Sequence, residues 1–81
     1  MGEILILKRV KDYMENLPKD ERVRLANMIE LFMGGEDAKK VRGYSNVYKL
    51  HAGDYRIIYT MDGKDYMIIA IGKGNHNFLK Q

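Results

Sequence analysis

Residues 47–71 read VYKLHAGDYRIIYTMDGKDYMIIAI, three β-prone runs separated by two glycine–aspartate pairs. The runs cover residues 47–52, 55–61 and 64–71, each rich in tyrosine and β-branched residues. Gly53-Asp54 suits a type II′ turn, and Asp62-Gly63 is an equally good hairpin signal. An antiparallel meander follows. With Gly53-Asp54 as a two-residue turn, His51 pairs with Arg56, Leu50 with Ile57 and Tyr48 with Tyr59.

That register sorts the side chains. Tyr48, Leu50, Tyr55, Ile57 and Tyr59 share one face, and Val47, Lys49, His51, Arg56 and Ile58 share the other. Carrying the alternation through Asp62-Gly63 predicts Tyr66, Ile68 and Ala70 on the first face and Met67, Ile69, Ile71 and Lys73 on the second. The first face is continuously apolar and calls for a cover. The second has an apolar floor of Val47, Ile58, Met67 and Ile69 beside Lys49, His51, Arg56 and Lys73. An arginine on the middle strand is rarely buried without a partner. Either this face is open to water or it receives an anion.

Upstream of the meander the period changes. Residues 3–7 form a short β-prone run. Val10, Tyr13, Met14 and Leu17 then fall at helical spacing, as do Leu25, Met28, Ile29 and Phe32. Pro18 separates the two stripes and suits a helix start, with Asp20 and Glu21 placed where the helix dipole favours negative charge. Gly34-Gly35 provides a C-terminal stop. Residues 36–46 form a polar connection holding Lys39, Lys40 and Arg42. The expected order is βααβββ. This is an α+β domain spanning 1–81, with a helical hairpin packed on one face of a small, largely antiparallel sheet.

The composition narrows the classes. In 81 residues, 46% are hydrophobic and 31% charged, with a single proline, which fits a folded domain and argues against disorder. With no cysteine there is neither a disulfide framework nor a thiolate nucleophile, and the chain fits a reducing compartment. No apolar run approaches a membrane span, and the first apolar stretch is too short for a signal peptide, so a cytoplasmic location is expected. A net charge of +3 permits a polyanionic partner without demanding one.

Other chemistry finds little support. Gly72-Lys73-Gly74 is a GxG without a phosphate-loop context. His51 and His76 lack a third ligand at metal-site spacing, so neither a metal nor another cofactor is expected. Asp54, Asp62 and Asp65 sit in or beside turns, where aspartate serves structure. Ser45 is the only serine, and it lies outside any nucleophile elbow.

Taken together, the βααβββ order, the joint ENLPKDERVRL and above all the segment GDYRIIY at residues 53–59 resemble the RelE/ParE toxin superfamily. Members often show a Tyr-Lys/Arg-Leu strand, then Gly-Asp-Tyr-Arg, then an apolar strand ending Ile-Gly. For its ribosome-dependent members the resemblance implies a type II toxin that cleaves mRNA in the A site without a metal. The 2′-hydroxyl attacks the adjacent phosphodiester. Such chemistry needs a proton acceptor, cations for the pentavalent phosphorane and an acid for the leaving 5′ oxygen. The resemblance gives Arg56 the phosphate-stabilising role, places Lys49 at the basic position of the preceding strand, and puts His51 at a neighbouring basic position. In the tail, Gly74 stands where RelE carries an arginine, while His76 is the proton-transfer candidate, Phe78 a base-stacking candidate and Lys73 a substrate-binding one.

Two alternatives remain. The same fold serves ParE-type toxins that bind DNA gyrase and cut nothing, a branch that generally lacks the cationic cluster. Gly74 also fits a catalytically weakened relative that only binds antitoxin. The implied partners are a cognate antitoxin, the ribosome and its mRNA, with DNA reached only through the antitoxin. Tyr13 and Val23 are among the helix positions where an antitoxin could dock.

Overall fold

The computed structural model describes residues 2–33, 35 and 38–73. Its elements are β1 (Ile4–Ile6), α1 (Lys8–Glu15), α2 (Lys19–Phe32), β2 (Lys39–Lys40), β3 (Val47–Ala52), β4 (Tyr55–Asp62) and β5 (Asp65–Lys73). The sheet runs β1-β5-β4-β3-β2, with β1 parallel to β5 and every other pairing antiparallel. The α+β architecture read from the sequence holds, with one strand added. Lys39-Lys40, expected in an irregular connection, pairs with Tyr48-Lys49 and extends the sheet by an edge. Two residues carry too little pattern to announce a strand.

The helices form where the apolar stripes place them. Val10 and Met14 of α1 and Leu25 and Ile29 of α2 are buried, with Tyr13, Leu17 and Met28 packed beside them. Pro18 caps α2, its fixed φ fitting an extended cap, and Asp20 and Glu21 occupy the first turn. The expected glycine stop falls on Gly34, outside the described residues; Met33 is the C-cap.

Under the helices lies the main core. Leu50, Ala52, Tyr55, Ile57, Tyr59 and Ile68 project from the sheet into it, all of them at 1% exposure or less. Burying each large side chain contributes roughly 1.5–3 kcal/mol. Tyr59 stacks on Tyr48, with ring centroids 5.5 Å apart, and meets Tyr66 edge-on at the same distance. Both hairpins follow the glycines. Gly53 and Gly63 open their turns at φ of 60° and 63°, values at which a β-carbon is strained. The second turn is Gly63-Lys64, because Asp62 pairs with Asp65.

One irregularity alters the expected faces. The β4–β5 register shifts between Ile58 and Tyr59, since Ile58 pairs with Ala70 and Tyr59 with Ile68. Ile69 is therefore an extra residue, a β-bulge that reverses the alternation beyond it. Arg9 donates to the Ile69 carbonyl at 3.1 Å, satisfying a group at the bulge. Ile71 consequently joins the helix-covered core and Ala70 the opposite face, the reverse of the simple alternation.

Candidate functional site

On the face away from the helices, cross-strand neighbours form successive rows. Lys39, Lys49, Ile58 and Ala70 make one row, and His51, Arg56 and Gly72 make the next. A third row holds Val47, Thr60, Met67 and Leu5. Val41, Val47 and Ile58 close into a second small core, with Ile69 and Ala70 packed against it. This apolar floor supports the basic side chains from one end.

Lys39, Lys49, His51 and Arg56 line a depression of about 260 Å³. The three basic residues expected from β3 and β4 thus converge on one face. Every lining side chain is basic, and among the described residues none of the four has an ion pair. Nε of Arg56 is buried and has no hydrogen-bond partner among the described residues. A buried guanidinium nitrogen without an acceptor is costly, of order 1–3 kcal/mol, more when charged. Gly72 flanks Arg56 in its row, so no side chain crowds the guanidinium from β5. An oxyanion would satisfy the orphan donor and relieve the mutual repulsion. Arginine's fork suits phosphate oxygens geometrically, and the neighbouring lysine supplies a second positive charge.

Lys73 does not belong to this face. The bulge at Ile69 turns it toward the helices, where its Nζ lies 3.6 Å from Glu21 Oε1 and 5.8 Å from the centre of the Tyr55 ring. Tyr55, almost wholly buried, donates its hydroxyl proton to Glu21. The Tyr55 hydroxyl, with help from the Lys73 charge, holds the Glu21 carboxyl below its ordinary value. Accepting that hydrogen bond, Glu21 in turn pushes Tyr55 up to about 12, with burial adding to the effect.

This triad ties α2 to the end of β5, and it makes stability depend on pH. A depressed folded-state carboxyl contributes stability above its unfolded value and loses it as pH falls through the folded one. A raised phenol contributes below its unfolded value of 10.0 and loses stability as pH rises toward 12. Tyr55→Phe is therefore expected to lower the denaturation midpoint at neutral pH, with the gap to wild type closing as Glu21 protonates. A gap of constant size from neutrality down to pH about 3 would show that no such linkage exists.

Gly74, His76 and Phe78 lie outside the described residues. Lys39 is the functional candidate that sequence reasoning passed over. Its signal was present in retrospect: Lys39 and Val41 alternate across from Val47 and Lys49, around the glycine-containing turn at residues 42–46. Among the described residues no group of three or more metal-ligating side chains is gathered. No described helix is long and apolar enough to cross a membrane.

Comparison with curated proteins finds no match. Two solved structures share the fold. A chain of the archaeal RelE–RelB complex from Pyrococcus horikoshii OT3 superposes with a TM-score of 0.72 at 23% identity, covering 89% of this chain and 93% of that one. A chain of the RelB–RelE antitoxin–toxin complex from Methanococcus jannaschii gives 0.65 at 24% identity, covering 85% and 88%. The family model for the ParE toxin of the type II toxin–antitoxin system parDE matches residues 5–78, from β1 into the tail. With the fold and nearly the whole sequence in agreement, this chain belongs to the ParE toxin family of type II toxin–antitoxin systems, within the RelE/ParE superfamily.

Proposed function

We propose that this toxin is a ribosome-dependent endoribonuclease that cleaves mRNA in the A site by attack of a 2′-hydroxyl. The observation that carries the reading is the depression lined by Lys39, Lys49, His51 and Arg56, whose Arg56 nitrogen has no partner among the described residues. In the reaction the 2′ oxygen bonds to phosphorus and the bond from phosphorus to the 5′ oxygen breaks. A cyclic phosphate and a free 5′-hydroxyl result. Arg56 and Lys49 stabilise the phosphorane, whose extra negative charge appears only in the transition state. The 2′ proton goes to a base, and an acid returns a proton to the 5′ oxygen. His51 lies in the depression, and His76 of the tail is the second candidate for these transfers. An imidazole carries one donor and one acceptor nitrogen, so a histidine can serve either role.

The toxin acts in the cytoplasm, where ribosomes are, and is held inactive by a cognate antitoxin. The likeness to RelE chains solved with RelB supports that partner. A second reading has a specific observation behind it: the matching family model is that of ParE, so a gyrase-binding toxin is the competitor.

Induction of the toxin in growing cells, followed by mapping of mRNA 5′ ends, separates the two. The nuclease reading expects new ends inside translated codons, dependent on ongoing translation. Growth arrest with intact mRNA and inhibited gyrase supercoiling would replace it with the ParE reading. Within the nuclease reading, His76→Gln is expected to slow single-turnover cleavage on programmed ribosomes by about 10²-fold, with ribosome binding retained. An unchanged rate would move proton transfer to His51 or to the ribosome itself.

A further inference from the structure

Lys39 and Lys49 face each other directly across the β2–β3 ladder. Like charges opposed in this way destabilise a sheet, and among the described residues no carboxylate offsets them. Lysine on an edge strand also discourages pairing with another sheet. Lys40, on the same strand and alternating to the other side, meets that need without entering the depression. Lys39 instead points its charge into the same basin as Arg56.

The spacing of the rows is informative. Lys49 and His51 are two residues apart on β3, which sets the Lys39/Lys49 and His51/Arg56 rows roughly 7 Å apart. Successive phosphates along an extended single strand repeat at a similar interval. The depression thus holds two basic pairs at the pitch of a nucleic-acid backbone, and among the described residues no carboxylate lines it.

We propose that Lys39 opens a second phosphate subsite, which takes the phosphodiester adjacent to the one held by Arg56, with Lys49 set between the two phosphates. The inference rests on reading this face as a phosphodiester site. It adds that two consecutive phosphates are engaged and that Lys39, on the edge strand, fixes the substrate's direction across the sheet. Lys39 is a positioning residue here: it touches a phosphate that does not react.

Abasic deoxyribose oligomers carrying one, two or three phosphodiesters test this on the intact chain, by following amide resonances during titration at low salt. Having neither bases nor 2′-hydroxyls, they report phosphate binding alone. Wild type should gain about 5-fold in affinity from the second phosphate and little from the third. Lys39→Gln should erase the gain from the second phosphate, weakening the two-phosphate ligand clearly more than the one-phosphate ligand, while Lys39→Arg should keep the gain. Arg56→Gln should weaken single-phosphate binding itself. The subsite is overturned, with the phosphodiester reading intact, if Lys39→Gln keeps the gain or weakens all three ligands equally. If wild type binds none of them, the subsite and the reading beneath it both fall.

Discussion

Arg56→Ala should abolish growth arrest on induction and lower single-turnover mRNA cleavage on programmed ribosomes by about 10²–10³-fold, the usual effect of removing one donor from a developing oxyanion. The protein itself should lose no stability. Arg56 stands among three other basic groups, has no ion pair among the described residues, and keeps a buried Nε unsatisfied. Deleting a half-buried cation that has no ion pair among the described residues removes a cost instead of a contact, so the denaturation midpoint should stay level or rise. Loss of function without loss of stability is the signature of a residue retained for its ligand. Undiminished toxicity of a folded Arg56→Ala protein would remove Arg56 from the mechanism and favour gyrase binding.

Tyr59→Ala should produce the opposite pattern, a large loss of stability from a residue that lies under the helices. Tyr59 is 1% exposed on the central part of β4, stacked on Tyr48 and edge-on to Tyr66. Emptying a site of that size costs about 3–5 kcal/mol, through lost burial, a residual cavity and lost ring contacts. A domain of this length has roughly 4–12 kcal/mol in total. Urea denaturation should therefore show the midpoint falling steeply while the slope holds, or a chain already unfolded at low denaturant. A shift below about 1 kcal/mol would mean that the three-tyrosine cluster contributes little.

The two substitutions act on opposite faces of one strand, at Arg56 and Tyr59, three residues apart. That separation was legible in the sequence. The turn glycines and the period of two fixed the β3–β4 register, and with it the convergence of Lys49, His51 and Arg56 on the uncovered face. The helical stripes likewise announced which residues of α1 and α2 would be buried. Local pattern suffices there because each element repeats its own period over enough residues to outvote a slip.

Three features needed the assembled sheet. Ile69 bulges although Met67, Ile68, Ile69, Ala70 and Ile71 are an unbroken apolar run, in which either face accepts any residue. Nothing local marks the extra residue, and the choice is made by what packs on each side, the helices over Ile68 and Ile71 and the small core under Ile69 and Ala70. The bulge then carries Lys73 away from the basic face and onto Glu21, an ion pair between residues 52 positions apart in the chain. Lys39 enters the site for the same kind of reason: a two-residue strand has no period of its own, and only pairing with β3 gives it a face. Sequence determined the long, self-consistent elements, while tertiary packing decided the short and the uniformly apolar ones, because only there do competing registers differ in energy through their neighbours and not through themselves.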